Sequence, residues 1–248
     1  MRKIYLFILF LALIESNVLF KAKSEELKDH PEDVLQQVTK KVLEKKVRLV
    51  EEVKSGEIMF KVKKSNLWLK KEGSLDKKKS DEFAEITLPG KLYNPPKEIM
   101  IIKKQDVDRS NIENAVASVF SATRSGDLNW ISDNFTDNDK ERIKTLFTDK
   151  KILEESTSDA QKIISIYITG QADYKDSVLV FIEEDYVNGK RVKESLACKK
   201  TEKGWKVTNE FSSDKTFDIV FAALSSGEVS LKGQESKKEE ARAKDSKS

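Results

Sequence analysis

Cys198 is the only thiol in the 248-residue chain and His30 the only imidazole. A nucleophile–histidine pair, a three-histidine metal centre and a Cys–His zinc site all need more of these groups than the chain has. His30 precedes Pro31, which places it at the start of a helix rather than in a site. The nine glycines are scattered, without the clusters of a phosphate loop or a dinucleotide fingerprint. No cofactor and no metal are therefore expected. Carboxylate chemistry remains. Glu183, Glu184 and Asp185 could bind a cation or act as acid and base, but they run consecutively at a strand end beside a hairpin, the pattern of a solvated edge. The acids of "DNFTDNDKE" alternate, yet the stretch lacks the glycine and final glutamate of a calcium loop. It reads as a polar link with a helix cap. Asn134-Phe135-Thr136 within it fits the glycosylation acceptor pattern.

The thiol sits in "ESLACKKTEKGWKV", among lysines. On a strand, side chains alternate between faces, so Val192, Leu196 and Cys198 share one face, and Glu194 interrupts that apolar row. Lys199 points the other way. Activation of the thiol would need a cation or base on its own face, where Lys200 is the one local candidate. A buried, unionised cysteine is the expected state.

The elements that must position these groups follow from periodicity. Ser110-Asn111-Ile112-Glu113 reads as a capping box opening a helix over 111–125, with Ile112, Val116, Val119 and Phe120 on its apolar face and Gly126 closing it. Further helices are expected over 127–135 and 139–148. The chain then alternates: "QKIISIYITG" sets Ile164, Ile166 and Ile168 against Ser165, Tyr167 and Thr169, and "SVLVFIEEDY" is apolar on both faces, as a central strand is. Asn188-Gly189 is the preferred pair of a type I′ hairpin turn. "KRVKESLACKK" is the return strand and "WKVTN" the last one. "DKTFDIVFAALS" reads as a helix, 214–227, and residues 228–248 have almost no apolar content and read as a disordered tail.

Upstream, residues 25–45 carry a helical stripe of Val34, Leu35, Val38, Val42 and Leu43. Residues 46–108 read as a small β-rich unit punctuated by "LPGK" and "NPPK". Between Lys40 and Lys104 it holds 18 basic and 10 acidic residues, read first as a solvated face and second as a contact for an anionic partner. The chain opens with Arg2 and Lys3, then eleven uninterrupted apolar residues from Ile4 to Ile14, then Ala22-Lys23-Ser24. This is the layout of a secretory signal peptide over residues 1–24. Export to the periplasm or beyond is expected, with an uncleaved N-terminal anchor as the alternative and the membrane touched through that leader alone. The formal charge of +3 belongs to the leader; without it 42 basic and 42 acidic residues remain. A neutral chain offers no general attraction to nucleic acid.

The order of helix, Gly126-Asp127, two helices, and four antiparallel strands from "IISIYITG" through "DSVLVFIEEDYVNGKRVKESLACKKTEKGWKV" resembles the NTF2-like superfamily over about 109–210. It is most similar to small secreted or lipoprotein-type bacterial members. The resemblance implies an α+β cone over 109–213, a curved antiparallel sheet wrapped on helices, preceded by the β-rich unit. Enzymatic members commonly set a histidine with a carboxylate inside the cone, and His30 lies outside the matching segment. A non-catalytic binding protein is therefore expected, holding a small apolar ligand or an envelope protein, with Trp130, Phe135, Tyr167, Phe181 and Trp205 as pocket candidates. The alternative is an assembly protein whose sheet face docks a second copy, as a homodimer, or another chain. A third reading, acid–base chemistry by carboxylates with Tyr167, would be supported by an inward-facing carboxylate of raised pKa.

Overall fold

A computed structural model describes residues 52–68 and 82–232. The expected leader, the helix over 25–45 and the tail beyond Lys232 lie outside the described residues. Seven strands form one antiparallel sheet: β1 (Glu52–Lys63), β2 (Phe83–Ile99), β3 (Ile163–Tyr174), β4 (Ser177–Tyr186), β5 (Arg191–Thr201), β6 (Gly204–Val207) and β7 (Glu228–Leu231). Their spatial order is β6-β5-β4-β3-β2-β1-β7. Four helices precede β3: α1 (Ile112–Ser125), α2 (Leu128–Asp133), α3 (Asp137–Phe147) and α4 (Lys150–Gln161). A fifth, α5 (Lys215–Ser226), follows β6.

The expected α+β architecture is present, but the β-rich unit does not stand apart. Strand β2 pairs with β3 from Gly90↔Ala172 to Ile99↔Ile166, so β1 and β2 extend the same sheet as the later strands. Both turn signals expected to punctuate the unit lie inside β2. Pro89 sits opposite Glu57. Pro95 and Pro96 fall where the register slips between Leu92 and Lys97, so the ladder passes over residues that cannot donate to it. Gly90 is required by close approach: a Cβ there would lie 2.3 Å from the Gln171 carbonyl oxygen. The tail also begins later than expected, because Glu228–Leu231 is strand β7, antiparallel to β1.

Local chemistry sets the helix ends. Asn111, not Ser110, caps α1, its side chain accepting from the Asn114 amide at 2.8 Å. The Ser110 hydroxyl is taken by Asp108. Asp127, Asp149 and Asp214 cap α2, α4 and α5 through backbone amides. Helix α4 was not expected from periodicity. Its buried positions include Ser156 and Asp159, so the apolar stripe is broken. The Asn188-Gly189 hairpin is not type I′. Only Gly189 has positive φ, 78°, and its amide donates to the Tyr186 carbonyl, which gives a longer loop closed by a glycine bulge.

Both faces of the sheet are covered. On one, α5 packs Ile219, Val220, Ala222 and Ala223 against Ile58, Phe60 and Val62 of β1, Leu179 and Phe181 of β4, and Ala197 of β5. Phe60 and Phe181 meet edge to face, centroids 5.5 Å apart, although two strands separate them. They meet because those two strands carry Gly90, Gly170 and Ala172 on that face. A Cβ on Gly170 would stand 2.8 Å from the Phe181 ring. The opposite face presents Ile166, Ile168, Val180, Ile182, Leu196 and Cys198, all buried. Helix α1 lies over it, touching β2 and β6, and α4 touches β3. Lys97, in the row of Ile168, donates to Glu113 of α1 at 2.8 Å.

Truncation of a ring in such a core costs about 3–5 kcal/mol. Phe60→Ala should lose that much in urea unfolding. Because β1 is integral to the sheet, tryptophan fluorescence and circular dichroism should trace one coincident transition; an early separate step for β1 and β2 would contradict this packing.

Candidate active site on the helix-covered face

Glu184 and Tyr186 of β4 lie two residues apart and point to the same side. The register sets Glu184 opposite Val192 and Ile182 opposite Glu194, so the two glutamates are diagonal neighbours on the face that carries Ile166, Ile168 and Ile182. This is the face under α1 and α4. Both are enclosed, Glu184 at 3 % exposure and Glu194 at 7 %, and Tyr186 is buried with them. The Tyr186 hydroxyl donates to Glu184 Oε2 at 2.8 Å. The diagonal register sets the two carboxyl groups next to each other, near enough for one to act on the proton of the other.

Burial raises Glu194 well above the carboxylate range, and the adjacent Glu184 charge raises it further. Burial also raises Glu184, while hydrogen bonds from Tyr186 and Glu194 and the charge of Lys190 act in the opposite sense. Tyr186 is raised by burial and by Glu184, with Asp159 of α4 contributing. Both carboxyls are thus pushed toward the neutral form, Glu194 the more strongly, and Glu184 accepts from the Tyr186 hydroxyl. A neutral carboxylic acid beside a carboxylate base offers a hydrogen-bond donor and a proton acceptor within one cluster.

The expectation that Glu183, Glu184 and Asp185 form a solvated edge is corrected for both glutamates, which are buried, and fits only the half-buried Asp185. Glu183 faces the other way and pairs with Arg191 at 3.0 Å, and Asp185 binds the same guanidinium at 2.6 Å. Only Glu184 lies on the face under α1 and α4. Its partner Glu194 carried a signal, the interruption of an otherwise apolar row, but was not counted as a site residue.

The five aromatic candidates do not converge. Tyr167 is half-buried and stands in the row of Glu98 and Glu183, on the face opposite Ile166 and Ile168. Phe181 belongs to the α5 core. Trp130 is buried among the helices, its indole N–H donating to Ser118 Oγ at 3.0 Å. Phe135 is half-buried and bridges Val207 through its backbone. Trp205 shares the face of Val207 near the sheet edge. Asn134 is buried and ties Ser118, Trp130 and Arg109 together, so the glycosylation pattern is enclosed in the fold. Cys198 is buried as expected, and burial pushes its thiol up to about 12.

A second polar group lies on the same face, nearer the β2–β3 pair. Tyr93 donates to Gln171 Oε1 at 3.1 Å, with the Lys97 and Lys91 ammonium groups 4.5 and 5.7 Å from its ring centroid. Burial and the Glu113 charge push its hydroxyl up to about 12. Among the described residues no group of three or more His, Cys, Asp or Glu side chains could hold a metal ion. Nor is any helix among them long and apolar enough to cross a membrane.

No protein-family model matches this chain, and no curated protein does. Among solved structures it is similar to a Campylobacter jejuni protein provisionally named an NTF2-like transpeptidase. The two share 19 % identity, over 40 % of this chain and all of that one, with a TM-score of 0.32. The described residues form an α+β arrangement of helices on a seven-stranded antiparallel sheet. The expectation of a chain without catalytic function is not kept: this neighbour is provisionally named for an enzyme.

Two outcomes follow from burial. The folded pair binds its proton more tightly than the unfolded chain, whose glutamates titrate near 4.3. Stability therefore falls as pH rises from about 4.3 through the raised folded value, by up to about 1.4 kcal/mol per proton and pH unit. Glu194→Gln keeps a hydrogen-bond donor without the titration, so its melting temperature should exceed that of the parent at pH 8, with the gap closing toward pH 4. A gap independent of pH would show that the fold does not hold Glu194 neutral. Cys198, in turn, should stay unreactive toward a thiol reagent in the native state and react once per chain after unfolding in urea.

Proposed function

We propose that this chain is an NTF2-like protein whose helix-covered sheet face binds a small, largely apolar molecule bearing one carbonyl or hydroxyl group. On binding, Tyr186 turns its single O–H from Glu184 to that group, with Glu194 as a second donor when protonated, and Glu184, so released, serves as a base able to take a proton from it. The observation that carries this reading is the pair of buried, adjacent carboxyl groups set in an otherwise aliphatic surface. An apolar environment with a few convergent polar groups of perturbed pKa is the usual composition of a small-molecule site. The surroundings fit an apolar body: Ile166, Ile168, Ile182 and Leu196 flank the two acids. Both acids are nearly enclosed, so entry requires displacement of the covering helices, of which α4 carries the polar buried positions Ser156 and Asp159.

Native mass spectrometry of the protein purified from its own host tests this directly. The expected result is a retained small organic molecule, released on denaturation. A hydrogen bond to a charged group is worth about 1.5–3 kcal/mol, so the double variant Glu184→Gln/Glu194→Gln should hold that molecule at least about tenfold more weakly. An unliganded protein, or one whose ligand is held equally well by the variant, would remove the carboxylate pair from any binding role.

A further inference from the structure

Four large apolar side chains stand exposed at one end of the sheet. Met100 is 71 % exposed, Ile164 65 % and Val187 63 %, and Ile101 is exposed beside them. They lie at the ends of three neighbouring strands. Ile99 pairs with Ile166, so Met100 and Ile101 leave β2 next to the start of β3. Ile163 pairs with Tyr186, and the Val187 amide donates to the Lys162 carbonyl at 2.9 Å, which sets Val187 opposite Lys162, two positions before Ile164 at the register shift of β3. Each apolar residue has a lysine within three positions: Lys103 and Lys104 after Ile101, Lys162 before Ile164, and Lys190 after Val187. Where these lysines are ion-paired with an acid, the lysine is the outer partner. Lys162 is more exposed than Asp159, and Lys104 more exposed than Asp127.

We propose that this end of the sheet is a membrane-contact surface that inserts Met100, Ile101, Ile164 and Val187 among the acyl chains of a bilayer containing anionic lipid, with the lysines at the headgroups. The shape and the charge argue for this occupant. The aliphatic side chains project from strand ends and a turn rather than lining a groove. A rim of lysines complements anionic headgroups. Side chains with an apolar stem and a charged tip suit the boundary between the two layers.

Depth-dependent quenching tests the surface residue by residue in the full chain. Val187→Cys and Ile164→Cys would each be labelled with bimane, the buried Cys198 staying unlabelled. Asp173→Cys, exposed near the other end of β3 and about 30 Å away along the strand, is the control. Vesicles would be equimolar phosphatidylcholine and phosphatidylglycerol carrying a nitroxide on the acyl chain. The expected result is a blue shift and loss of emission at positions 187 and 164 but not at 173, weakened by Lys103→Glu and by raised salt. The readout is local to each label, so a tether elsewhere in the chain does not imitate it. Equal quenching at all three positions, or none at 187 and 164, would overturn the proposal. So would a blue shift at 187 and 164 without vesicles together with a doubled mass in sedimentation, which would identify a second copy as the occupant.

Discussion

A sheet covered on both faces leaves no water for the side chains of its middle strands, and this constraint governs the rest of the molecule. Strands β4 and β5 lie under α5 on one side and under the α1–α4 layer on the other, so nearly every residue from Leu179 to Glu184 and from Glu194 to Cys198 is buried. Small residues in β2 and β3 make the first covering possible. Gly90, Gly170 and Ala172 form a trough in which Phe60 and Phe181 meet across two intervening strands. That contact binds the N-terminal strands to the later ones and joins what composition alone divides. Any polar group in the doubly covered region must find a partner within the protein or stay neutral, because an unpaired buried charge costs several kcal/mol.

Much of the fold could be read from the residues. The helix over 111–125, the strand pattern from Ile163 to Val207, the apolar-on-both-faces character of β4 and the helix before Gly227 all follow from period and capping. The departures have physical causes. Proline and glycine in "LPGK" and "NPPK" signal a break in the chain, yet they sit inside β2, because a register shift takes Pro95 and Pro96 out of the pairing with β3 while Asn94 still pairs with Glu52 of β1, and Gly90 must pass close to β3. Helix α4 escapes a search for apolar periodicity because it buries Ser156 and Asp159. Strand β7 is too short and polar to stand out, and it forms by pairing with β1 rather than by its own propensity.

The site was legible in fragments. Alternation puts Glu184 on the face of Val180 and Ile182, and Glu194 on the face of Leu196 and Cys198. The hairpin register then brings the two acids together. What alternation does not supply is which face the helices cover, and without that a run of Glu-Glu-Asp beside a turn looks solvated. Tyr167 shows the same ambiguity: it is one strand away from the pair but on the other side. Phe181 adds a second effect. The register shift between Ile168 and Gly170 changes which residues of β3 stand beside those of β4, so Phe181 lines up with Gly170 and the α5 core.

Replacing a buried polar pair with aliphatic residues of similar size is often neutral or stabilising. The neighbours of Glu184 and Glu194 on their own face are valine, isoleucine and leucine, so the local chemistry favours such a replacement. Nothing in the hairpin register needs the acids, since the Tyr186–Lys190 loop is set by backbone hydrogen bonds and Gly189. Around them, capping, turn chemistry and core packing agree with the fold. Disagreement between local rules and the global structure tends to concentrate where a protein acts. Here three side chains on one face go against those local rules, two acids and the phenol that donates to one of them, and that makes this face the candidate site.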